Sequence, residues 1–129
     1  VDRVLLVALG GGIGSVLRYL TSGVAGRWLG VDFPYGTLIV NVAGSFLIGL
    51  VQALAEETAV LPEPARLFLS VGILGGFTTY SAFSYETVRL VELDAFGRAV
   101  VNVALTTVVC LGVCVMGLAA GRYVVSLRG

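Results

Sequence analysis

The third of four apolar stretches in this chain, residues 65–90, is long enough to cross a bilayer, yet it carries Gly75-Gly76-Phe77-Thr78-Thr79-Tyr80-Ser81-Ala82-Phe83-Ser84-Tyr85-Glu86 in its middle and second half. Lipid offers no hydrogen bonds, so only segments whose backbone groups are satisfied internally cross it unaided. A Gly pair followed by hydroxyls and rings predicts a helix break near Gly75-Gly76. Such a break has to be enclosed by protein or to line a polar cavity, and it therefore reads as a site.

Crossing about 30 Å of hydrocarbon takes roughly 20 helical residues. Four such spans fit within the 129 residues, at about 4–25, 35–54, 65–90 and 98–125. Three short connections remain, and they hold Asp32, Glu56, Glu57, Glu63, Glu92 and Asp94. With 57% hydrophobic and only 12% charged residues, the chain reads as an all-α membrane protein, a single four-helix transmembrane domain. The first span reads as a retained helix, because Arg18 interrupts its far half where a signal peptide would end in a cleavage site.

All eight basic residues are Arg. Alternating spans put Arg3, Arg66, Arg122 and Arg128 at one face, and Arg27, Arg89 and Arg98 at the other, with Arg18 added there if it snorkels. Orientation follows the bias of such residues, and an even tally predicts insertion in both orientations and an antiparallel pair. Gly10-x-x-x-Gly14, Gly72-x-x-x-Gly76 and Gly117-x-x-x-Gly121 allow close helix packing.

Polar residues recur at helical spacing. Thr37, Asn41 and Ser45 share one face of the second span, with Gln52 near it, and Asn102, Thr106, Cys110 and Cys114 share a face of the fourth. Tyr80 and Phe83 share a face beyond the break. An amide in lipid wants partners at both ends, so these stripes favour a permeation path over isolated hydroxyls that bond their own backbone. No carboxylate lies in the stripes, and Glu86 is the deepest acid, so a cation route is disfavoured. Amide and hydroxyl donors and the positive edges of aromatic rings suit a small anion that must shed water. Arg18 costs about 2.5 to 3.5 kcal/mol at mid-membrane on insertion scales. It is expected to pair with Glu86 or to raise anion concentration at a vestibule.

The motifs Gly12-x-Gly14-Ser15-x-x-Arg18-Tyr19, Gly36-Thr37-Leu38-x-x-Asn41-x-x-Gly44 and Gly75-Gly76-Phe77-Thr78-Thr79-Tyr80-Ser81-x-Phe83-Ser84-x-Glu86 resemble the CrcB/Fluc family of fluoride channels over nearly the whole chain. The resemblance implies four transmembrane helices with a broken third helix, an antiparallel dual-topology homodimer in the cell inner membrane, and passive fluoride export that confers fluoride resistance. It implies a structural sodium ion on the two-fold axis, held by the backbone carbonyls of Gly75 and Thr78. It also implies fluoride contacts at Asn41, Tyr80 and Phe83, and a polar track through Thr79, Ser81, Asn102 and Thr106. The partners it implies are fluoride, lipid and a second copy, with no nucleic acid.

A small proton-coupled multidrug exporter shares four spans and dual topology. Such carriers resemble one another in a carboxylate in the middle of the first span, and here no acid stands between Arg3 and Asp32. A non-transporting structural subunit is the other alternative. An intramembrane enzyme is not expected, because the chain has neither His nor Lys to serve as a base beside Ser.

Overall fold

The structure, a computed structural model, describes residues 2–56 and 60–128, so Glu57 lies outside the described residues. Four helices are long and apolar enough to cross a membrane: Arg3–Leu29, Tyr35–Ala55, Glu63–Glu92 and Phe96–Ser126. Among the described residues there are no strands.

Helix α1 (Arg3–Leu29) starts where Asp2 Oδ1 accepts the Val4 N–H at 2.7 Å. It runs past the expected end at residue 25 because nothing breaks it before Gly30, whose φ of +88° a side chain would resist. Helix α2 (Tyr35–Ala55) follows a short turn. The last helix, α5 (Phe96–Ser126), is entered through Asp94, at φ 60°.

The third span is built in pieces. Helix α3, residues 63–77, opens with Pro64 in its first turn, where a missing N–H costs nothing. It widens into π-helical geometry over Leu67–Leu74 and closes with Gly75–Phe77. Thr78 and Thr79 are extended, with ψ of 156° and 114°. Helix α4 (Tyr80–Glu92) then begins, with Thr79 as its N-cap. The interruption thus falls at Thr78-Thr79, and not at Gly75-Gly76 as the glycines suggested. Those glycines remain helical, and Gly76 serves close packing: a Cβ on it would overlap Gly11 O.

Two seams hold the bundle. Along the α1–α3 seam, a Cβ on Gly10 would lie 2.9 Å from Gly72 Cα, and one on Gly14 would overlap Ile73 O. Along the α2–α5 seam, Gly49 meets Cys114 O, Gly117 meets Phe46 O, and a Cβ on Gly121 would come within 2.9 Å of Leu50 O. All three small-residue motifs are therefore used inside one chain. Large apolar side chains such as Val108, Leu111 and Val115 face outward, as expected of helices solvated by lipid.

Ion pairs mark the ends. Arg3 meets Glu63, and Arg122 meets Glu56 in a two-pronged contact at 3.1 and 3.2 Å, all at one end of the bundle. The hydrogen bond from Arg122, with its positive charge, holds the Glu56 carboxyl below its usual range against a smaller opposing effect of desolvation. Asp32, Arg89 and Arg98 gather at the other end.

Candidate functional site

The extended Thr78-Thr79 pair frees backbone groups that a continuous helix would satisfy, and side chains from two other helices meet them. Asn41, buried on α2, grips Thr79 from both sides: its Nδ2 donates to Thr79 O at 3.1 Å, and its Oδ1 accepts the Thr79 N–H at 2.8 Å. Thr79 Oγ1 accepts the Ala82 N–H at 3.1 Å, which starts α4. Thr78 folds back on α3, giving both its N–H and its hydroxyl to Leu74 O, each at 3.0 Å. Arg18 on α1 donates from Nε to Gly76 O at 3.1 Å.

A cavity of about 360 Å³ opens beside this break, between α2, α3, α4 and α5. Asn41, Gly75, Thr78, Thr79, Tyr80, Phe83 and Thr106 line it, along with Ser45, Ser70 and Cys110. Among the described residues no charged side chain lines it. The Tyr80 and Phe83 rings stand 5.5 Å apart and tilted by 56°, a geometry that turns ring edges in different directions. Phe83 is buried, whereas Tyr80 is 79% exposed.

Of the expected polar track, Thr79 and Thr106 reach this cavity and Ser81 and Asn102 do not. Ser81 faces outward, its Oγ 3.2 Å from Thr79 Oγ1. Asn102 is 1% exposed and ties α5 to α4, donating to Thr87 Oγ1 at 2.9 Å while Thr106 Oγ1 approaches its Oδ1 at 3.5 Å. The Arg18–Glu86 pairing does not form. Arg18 turns to the break, and Glu86 Oε1 is enclosed with no hydrogen-bond partner among the described residues. Glu86 lines a second cavity of about 460 Å³ near the opposite end, with Asp32, Arg89 and Arg98.

Ser70 belongs to none of the polar stripes in the sequence. It is buried, donates to Arg66 O at 2.7 Å, and lines the cavity beside Leu74 and Gly75. The π-helical stretch alters the angular spacing of residues 67–74, so a 3.6-residue period does not give the azimuth that Ser70 takes.

The chain is 43% identical over 97% of its length to a protein of Sorangium cellulosum named fluoride-specific ion channel FluC, covering 98% of that protein. It is 44% identical over 93% of its length to a protein of Geobacter metallireducens with the same name, and covers 97% of it. A protein of an Anaeromyxobacter species, strain K, again so named, is 50% identical over 84% of this chain and is itself covered over 86%. A family model described as CrcB-like protein, Camphor Resistance (CrcB), matches residues 5–118. With its four apolar helices, the chain is a multi-pass membrane protein, and it belongs to the CrcB family.

Proposed function

We propose that this protein is a fluoride-selective channel through which fluoride leaves the cell passively. The similarity over nearly the full chain to proteins named fluoride-specific ion channels carries the reading, and the cavity beside the break supplies its chemistry. Fluoride gives up hydration on entering. The second Nδ2–H of Asn41, the hydroxyls of Thr79 and Thr106, and the ring edges of Tyr80 and Phe83 are the groups that would replace it. A cavity lined by weak uncharged donors compensates a small, strongly hydrated anion only at close range. Chloride, being larger, would be held farther from each donor.

The functional unit on this reading is an antiparallel dual-topology homodimer in the cell inner membrane. The spread of Arg supports it, although Arg18 lies beside Gly76 and joins neither end, which leaves four against three. Exposure of Tyr80 beside the cavity also supports a second copy, since a pore wall is then missing from one chain.

A sodium ion would be held by the carbonyls of Gly75 and Thr78, and both are suited to it. In a continuous helix Gly75 O would take the Thr79 N–H, but that goes to Asn41. Thr78 O would take the Ala82 N–H, but that goes to Thr79 Oγ1. Two oxygens are thus released from their helical donors, and hard cations prefer oxygen. Bound there, sodium would supply positive charge that offsets the exposed carbonyls.

Efflux from proteoliposomes, read with a fluoride electrode beside a chloride electrode, tests the function. Fluoride release with chloride retained is expected; equal chloride loss overturns selectivity, and dependence on an imposed proton gradient makes the protein a carrier. Labelling of one Cys, introduced at a helix end after Cys110 and Cys114 are replaced by Ser, from outside sealed vesicles tests dual topology, with about half of the copies expected to react under an even two-way insertion.

A further inference from the structure

Among the described residues, Arg18 is the one charged side chain that hydrogen-bonds at the break. It sits on α1 and lines neither cavity, makes no ion pair among the described residues, and is held at the depth of Gly76 by its Nε bond of 3.1 Å. A snorkelling Arg would extend toward a helix end; this one is turned to a backbone carbonyl. The carbonyl belongs to the last turn of α3, where a helix leaves orphan C=O groups and about half a negative elementary charge. Leu74 O has the Thr78 N–H and hydroxyl. Gly76 O has Arg18, whereas Gly75 O has lost its helical donor to Asn41.

We infer that Arg18 is a positioning residue, the fixed positive charge of the third-helix break. Its guanidinium satisfies Gly76 O and opposes the negative end of α3, so the break depends less on a mobile cation to keep its carbonyls in place. The assignment deepens the cation reading above, and it makes Arg18 and a bound sodium two contributors to one electrostatic need.

The test compares melting temperatures of purified protein in sodium chloride and in N-methyl-D-glucamine chloride. In R18Q, which keeps a donor without charge, and R18M, which keeps neither, the gap between the two media should exceed the wild-type gap by about 4 °C or more, a shift that a domain of this size resolves. R18K, which keeps charge and donor, should return the gap to the wild-type value. A role in packing alone would lower R18Q equally in both media, and that result overturns the inference, as does an R18K as sodium-dependent as R18M. Broadening of the ²³Na resonance by wild type reports the sodium site separately. Broadening with an unchanged R18Q gap sinks the role of Arg18 and leaves the cation reading standing. A widened R18Q gap without wild-type broadening does the reverse, and neither effect sinks both.

Discussion

Asn41 and Thr79 form a closed pair: one side-chain amide satisfies both the N–H, at 2.8 Å, and the C=O, at 3.1 Å, of a residue that has left the helix. Asn41→Ala leaves two backbone groups unpaired in a part-buried place. Interhelical hydrogen bonds in membranes average about 0.6 kcal/mol, but an orphaned backbone group costs about 1 to 3 kcal/mol. The second figure governs here, because residues 78 and 79 have no helical partner to return to. Thermal melting in detergent should show the loss, and fluoride efflux should fall with it. Asn41→Asp keeps an acceptor for the Thr79 N–H but sets a second acceptor against Thr79 O, so it should not restore the wild-type melting temperature.

Phe83→Ala removes a buried ring from the cavity wall while touching no hydrogen bond. Fluoride efflux should fall about tenfold or more, as for a barrier raised by ~1.4 kcal/mol. Tyr80→Phe keeps a ring edge and should conduct like wild type, whereas Tyr80→Leu should not. Efflux rates from liposomes decide both.

Glycines of one helix divide sharply. Gly14→Ala drives a methyl into Ile73 O, a backbone atom with no rotamer to yield, so α1 must move off α3. Overpacking of this kind costs about 1 to 3 kcal/mol or more. Gly12→Ala meets nothing within 4 Å and gains up to about 1 kcal/mol of helix propensity. Melting curves of the two variants should move in opposite directions.

Much of this architecture is readable from residue order, and the failures have a pattern. Spans emerge because hydropathy sums over many residues, and the Asn41 stripe emerges because α2 keeps an ordinary period. Residue counting also places Arg18 and Glu86 in the same half. It gives depth, however, and not azimuth, so it could not tell that Arg18 faces the end of α3 while Glu86 faces a different cavity. The break was displaced for a related reason. Gly75 and Gly76 suggest a turn, yet both stay helical and Gly76 serves contact with α1, while the Thr79 cap with its Asn41 clamp sets the actual point of departure. Ser70 was hidden by the widened turn in which it sits.

Glu56 gives a pH test at the bundle end. Arg122 lowers its folded-state pKa from the ordinary 4.5, so its contribution to stability is fully present above that value and lost as pH falls through the depressed one. The difference in melting temperature between wild type and Glu56→Gln should hold steady near neutrality and shrink in acid below about pH 4.5. Both groups are exposed, so added salt should also reduce it.

The glycine seam between α1 and α3 makes the third span asymmetric. Contact there runs from main chain to main chain at Gly10, Gly14, Gly72 and Gly76, with no rotamer that could swing aside. The cavity lies across α3, toward α2 and α5. The third span therefore turns two unlike sides to its neighbours, bare backbone pressed against α1 and polar side chains fronting a hollow toward α2 and α5.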